Sequence, residues 1–91
     1  MPEHYFTIEL PDGDKRECYS PSTVVKKYFT TGDEMPATEF LVRSRKALGE
    51  ASDRVRAKYG FGCASAAMQL QDIEAWIRAC PGDGIVRILS I

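Results

Sequence analysis

The sequence predicts an α+β domain of order β-β-α-α-α-β, in which a small three-stranded sheet carries helices packed on one face. Three observations predict it. His4 to Leu10 alternates apolar and polar residues, a long stretch ending at Tyr59 repeats apolar residues at helical spacing, and Ile85 to Ile91 is a second strand-like run after a Pro/Gly-rich break. Helices segregated to one face of an antiparallel sheet form a two-layer domain. At 91 residues the chain is read as a single domain, residues 1–91.

The first strand puts Phe6, Ile8 and Leu10 on one face and Tyr5, Thr7 and Glu9 on the other, the period of a half-buried strand. Pro11-Asp12-Gly13-Asp14 is a turn, because Pro presets φ and Gly permits positive φ. Asp14 to Tyr19 returns as a polar strand with Cys18 and the stem of Arg16 inward, while Lys15, Arg16 and Glu17 suit an exposed edge. The first strand is the more apolar of the pair and is placed in the middle of the sheet. Ser20-Pro21 has the pattern of a helix start, and a short helix is expected over residues 21–29, burying Val24, Val25 and Tyr28. Thr30 to Glu34 reads as a loop.

The long helix begins between Pro36 and Thr38. At about 100° per residue, Phe40, Ala47, Leu48, Ala51, Val55 and Tyr59 share an arc about 100° wide, and Gly60 stops the helix. A third helix follows over residues 64–79, with Ala66, Leu70, Ile73 and Ile77 inward, Trp76 on the flank, and Asp72, Glu74 and Arg78 toward water. Cys80-Pro81-Gly82-Asp83-Gly84 ends it. The last strand carries apolar residues on both faces, which predicts cover on both and leaves its inner face open.

Composition narrows the function. Twelve Lys and Arg against 13 Asp and Glu give a net charge of −1, with 44% apolar and 27% charged residues. A balanced charge counts against a bulk binder of nucleic acid but leaves a local basic patch open, and a transcriptional regulator is a third, weaker reading that a flat salt-dependent DNA-binding assay would dismiss. No run of about 18 apolar residues is present for a membrane span. The opening Met1-Pro2-Glu3-His4 has no basic or apolar leader, and Cys18, Cys63 and Cys80 are an odd, widely spaced set. Both features fit reduced thiols in a cytoplasmic protein.

No catalytic, cofactor or metal constellation emerges from spacing. His4 is the single histidine and is read as an exposed residue at a strand end, which leaves Ser-His-Asp and Cys-His arrangements without a second candidate base. One histidine with no C-x-x-C is short of a zinc set, and no calcium-loop pattern is present. Gly60-Phe61-Gly62 precedes a helix but follows another, so it lacks the context of a phosphate-binding loop. Cys63 lies just before the third helix, where the helix dipole favours a thiolate, although burial as a small hydrophobe is the commoner fate of such a residue.

The long helix carries Arg43, Arg45, Lys46, Arg54, Arg56 and Lys58, with Glu39 four residues before Arg43, Lys46 four before Glu50, and Glu50 four before Arg54. Interleaved charges of this kind mark a solvated face. Neutralisation is weakest near its end. Arg54, Arg56, Lys58, Tyr59, Phe61 and Cys63 are therefore the candidate interaction or ligand patch, suited to an acidic partner or a small anion.

Four stretches together resemble a known family: Cys18-Tyr19-Ser20-Pro21-Ser22 with Val24-Val25, Phe40 to Leu48 with Arg43-Ser44-Arg45-Lys46-Ala47, Ala51 to Phe61 with Arg54-Val55-Arg56-Ala57-Lys58-Tyr59-Gly60-Phe61, and Gln69-Leu70-Gln71-Asp72-Ile73-Glu74. With the Met-Pro-Glu opening, they are similar to the small nitrogen-starvation-response proteins of the bacterial nitrilase gene cluster. In that cluster the family accompanies a nitrilase, a radical-SAM protein, an acyltransferase-like protein and a flavin-dependent oxidoreductase. The resemblance implies an accessory role in nitrogen assimilation from nitriles or cyanide, and it carries no catalytic residue to this chain. Two functions follow. The first is a non-catalytic partner of a cluster enzyme, docking through the end of the long helix. The alternative is a small-molecule-binding or thiol-dependent protein using Cys63 beside that basic end. The sequence leaves the oligomeric state open.

Overall fold

The computed structural model describes residues 3–60, 64–81 and 83–91. The fold is α+β. Strands β1 (His4–Glu9) and β2 (Lys15–Ser20) are followed by a 3-10 turn over Thr23–Lys27, strand β3 (Glu34–Pro36), helix α1 (Ala37–Tyr59), helix α2 (Ala64–Arg78) and strand β4 (Ile85–Ser90). Among the described residues the sheet has four strands and there are two α-helices, where three of each were expected.

The hairpin forms as its pattern dictates. Leu10 N–H donates to Asp14 O at 2.7 Å and Gly13 N–H to Leu10 O at 2.9 Å, while Gly13 takes φ +93°, open to glycine without a Cβ clash. The Asp12 carboxylate accepts the Asp14 amide at 3.0 Å. This turn sets the β1–β2 register, pairing Tyr5 with Tyr19, Phe6 with Cys18 and Ile8 with Arg16. Phe6, Ile8, Leu10 and Cys18 are buried. Arg16 shares their face and lays its guanidinium 5.5 Å from the Trp76 ring of α2, as its inward stem requires.

β4 pairs antiparallel with β1, so the strand order is β2-β1-β4-β3 and β1 is interior. Val86 and Ile88 are the inward residues of β4, while Ile85 is 47% exposed, so the last strand is covered on one face and not on both. The fourth strand, β3, was expected to be loop and helix start. Its central residue, Met35, is buried and pairs with Val86. The turn before it fastens to the same edge: Gly32 N–H reaches Ile88 O and Ile88 N–H reaches Asp33 O, both at 2.8 Å. The free edge of β4 thus captures a segment too short to show a strand period.

The expected first helix is a single 3-10 turn. Its N-cap is Ser22, whose hydroxyl accepts the Val24 amide at 3.1 Å, two residues later than Ser20. Ser20 is buried and donates its hydroxyl to Ser22 O at 2.7 Å. Val24 and Val25 are buried and Tyr28 is half-buried. Adjacent β-branched residues favour a short anchored turn over a longer helix.

α1 is unbroken and ends at Gly60 in the left-handed region, φ +87°, with the Gly60 amide on Arg56 O at 2.8 Å. Pro36, at its N-cap, supplies no side-chain bond; the first orphan amide, Ala37 N–H, donates instead to Gly84 O at 2.8 Å. The helix buries Phe40, Ala47, Leu48 and Ala51 against the sheet and α2. α2 buries Ala66, Ile73 and Ile77, with Leu70 and Trp76 partly covered. Phe6, Phe29 and Phe40 link sheet, connection and helix, with ring centroids 5.9 Å and 5.4 Å apart. No helix among the described residues is long and apolar enough to cross a membrane.

Candidate functional site

The end of α1 projects for a geometric reason. Twenty-three residues make a rod of about 34 Å, whereas a six-residue strand spans about 20 Å. The excess is about nine residues of helix beyond the length of the sheet. Burial falls accordingly: Ala51 is fully buried, Val55 half-buried, and Tyr59 is 52% exposed, so Tyr59 leaves the core position its spacing predicts.

Four of the predicted patch residues lie on this overhang. Arg54 bridges to Glu50 at 3.8 Å, Arg56 to Asp53 at 3.7 Å, and the Lys58 ammonium stands 5.5 Å from the Tyr59 ring. All are exposed. At about 100° per residue, Arg54 and Lys58 share one side, Arg56 lies roughly opposite, and Tyr59 is about 60° from Arg56. They spread over about 200° of the helix circumference and do not converge on a concave site. Phe61 and Cys63, with Gly62, lie outside the described residues.

The charged flank of α1 is solvated, as its pattern predicts, and holds the helix to its neighbours. Glu39 pairs with Arg43 at 3.3 Å. Glu50 is a junction: it accepts Lys27 Nζ at 2.9 Å and the Tyr28 hydroxyl at 2.9 Å. These two hydrogen bonds hold its carboxyl below the usual range, and the bond to Glu50 raises the Tyr28 phenol. Arg43 donates to Tyr28 O at 3.3 Å, and Arg45 reaches Glu74 of α2 at 3.9 Å.

His4 differs from its expected place at an exposed strand end. It shares the face of Phe6 and Ile8, is half-buried, and its Nε2 is enclosed without a hydrogen-bond partner. Burial and then the Lys26 charge lower its pKa, which favours the neutral ring. Cys18 is buried, and its thiol is pushed up to about 12 by burial first and by Asp72 and Glu17 second. Cys80 is half-buried and also raised, by burial and by Asp12. Among the described residues no group of three or more His, Cys, Asp or Glu side chains is gathered to hold a metal ion.

A concave feature appears elsewhere, at residues the patch does not include. A groove of about 370 Å³ is lined by Glu3, Tyr5, Tyr19, Met68, Gln69 and Asp72, together with Ser65. Its walls come from β1, β2 and the first half of α2. Tyr5 and Tyr19 are register partners with rings edge-to-face at 5.7 Å. The β2 edge is closed here by Gln69, whose Oε1 accepts the Tyr19 amide at 2.8 Å; its Nε2 is enclosed and donates to nothing. The turn over residues 11–14 fixes the register that brings Tyr5 opposite Tyr19, so that half of the groove was available to sequence reasoning. The α2 half was not, because it depends on how far the helix reaches along the β2 edge.

The profile of one protein family, described as nitrogen starvation-induced protein NitG, matches residues 5–91. No curated protein and no solved structure matches the chain.

Proposed function

The chain belongs to the nitrogen starvation-induced protein NitG family, and from that premise we propose that it is a non-catalytic accessory protein that docks onto an enzyme of the nitrilase gene cluster when nitrogen is limiting. The observation that carries the reading is the overhang of α1. Two turns stand clear of the sheet and present Arg54, Arg56, Lys58 and a half-exposed Tyr59 over about 200° of the helix circumference. Arginine and tyrosine are the residues that most often anchor interfaces, and a convex rod suits the surface of a larger protein better than a small ligand. Its charge selects an acidic partner surface.

The test is direct association. The purified chain is mixed with each purified cluster enzyme and sedimented. Binding by one of them, weakened strongly by Arg56→Glu, supports the reading. Absence of binding to any of them removes it. Arg56 pairs with Asp53 between two exposed side chains, so its reversal leaves the fold intact.

A further inference from the structure

The geometry points to the groove between β1, β2 and α2 as a binding site for a small organic cation, an alkylammonium or guanidinium group. This inference is independent of the docking role proposed for α1 and uses none of its residues.

Four features of the groove select that chemistry. It offers two tyrosine rings, Tyr5 being 52% exposed, and a cation is drawn to the face of such a ring. It carries two carboxylates, Glu3 and Asp72, and no Lys or Arg among its described lining residues. The acids elsewhere on the helices and the outer sheet face are mostly neutralised: Glu39, Glu50, Asp53 and Glu74 on the helices, and Glu9 and Glu34, which share Arg87, on the sheet. Among the described residues Glu3 and Asp72 form no ion pair, and Glu3 accepts the Tyr5 hydroxyl at 3.5 Å. Among the described lining residues the groove therefore carries two carboxylates and no opposing cation.

The rest of the lining gives the ligand its shape. Met68 is 65% exposed and offers a soft apolar wall for a short hydrocarbon stem. Gln69 is held at one end by the Tyr19 amide and has an unused donor at Nε2. An anion meets two carboxylates and is repelled.

The test is a titration of the 15N-labelled full chain followed by amide NMR, with n-butylammonium and ethylguanidinium chlorides as probes and sodium butyrate as the matched anion. The site predicts saturable shifts at Tyr5, Tyr19, Ser65, Met68 and the Gln69 side-chain NH2 with the cations and none with butyrate. Asp72→Asn should weaken binding about fivefold, the effect of one unit charge at about 4 Å in water, while the spectrum elsewhere stays in place. Shifts that rise linearly without saturation overturn the proposal. So do shifts that butyrate reproduces, or an affinity that Asp72→Asn leaves unchanged.

Discussion

Replacing Phe29 with alanine tests whether the connection between β2 and β3 belongs to the core. Phe29 is 2% exposed and lies between Phe6 on the sheet and Phe40 on α1, at 5.9 Å and 5.4 Å between centroids. A buried Phe→Ala change costs about 3–5 kcal/mol from lost transfer energy and the cavity left behind, and that figure already contains much of the two ring contacts. A 91-residue chain has a total stability of roughly 5–14 kcal/mol. One side chain therefore accounts for about a fifth of it or more. At about 4–8 °C per kcal/mol, Tm should fall by roughly 12–40 °C, with the urea m-value unchanged. Thermal and urea unfolding followed by far-UV circular dichroism reads both. Val42→Ala, on the same helix as Phe40 but 47% exposed, is the control and should stay within about 0.5 kcal/mol. A Tm loss under about 5 °C for Phe29→Ala would refute the three-ring spine as the joint between layers.

Gly84→Ala should destabilise by about 1–3 kcal/mol in the same assay, because the added Cβ falls 2.7 Å from Pro11 Cβ and Cγ. In the native protein Cys18 and Cys80 should react slowly with a thiol reagent at pH 7, both being raised by burial, so one fast thiol would identify Cys63; a rate-against-pH midpoint at or above about 8.5 would end its role as a reactive group. Glu50 has a depressed folded pKa, so its contribution is complete above its ordinary 4.5 and is lost as pH falls through the lower folded value. The urea midpoint should decline with acid in that window, and Glu50→Gln should flatten the decline. Hydrogen exchange should show strong protection at Phe40 to Leu48 and progressively weaker protection from Ala51 to Tyr59; uniform protection along α1 would contradict an overhang.

The parts of the fold legible in the sequence are those whose signal is local. Alternation from Tyr5 to Leu10 and the Pro-Asp-Gly-Asp turn define the hairpin, and the apolar arc with Gly60 defines α1. The missed strand shows what local reading lacks. Glu34-Met35-Pro36 has no period to detect, and Pro36 suggests a helix start, yet β4 offers an unpaired edge and Met35 fills a core position beside Val86. Ser20-Pro21 is misleading for a related reason. Ser20 spends its hydroxyl on Ser22 O, and Ser22 then becomes the cap of a single turn. On the site, charge counting finds the charged residues of the α1 end, whereas their spread around the rod follows from helix geometry and not from the count. Tyr59 fits the arc in projection and is exposed because the sheet ends beneath it, a fact of length and not of periodicity.

That difference in length explains how the chain can hold a rigid projection at little energetic cost. A free peptide of eight residues would not remain helical in water, since nucleation fixes several residues for one hydrogen bond. Beyond Ala51 the helix needs no new nucleus. Each further residue adds one backbone bond to a turn already anchored by Phe40, Ala47 and Leu48, so propagation is close to neutral. Glu50–Arg54 and Asp53–Arg56 add a few tenths of a kcal/mol each, and Gly60 closes the end with its own bond to Arg56. The overhang gains almost nothing from the core, and the core loses almost nothing if its side chains change. Substitutions at Arg54, Arg56, Lys58 and Tyr59 can therefore alter recognition without altering folding. The groove at the β2 edge is different: Gln69 both lines it and closes the sheet, so binding there is tied to the packing of α2.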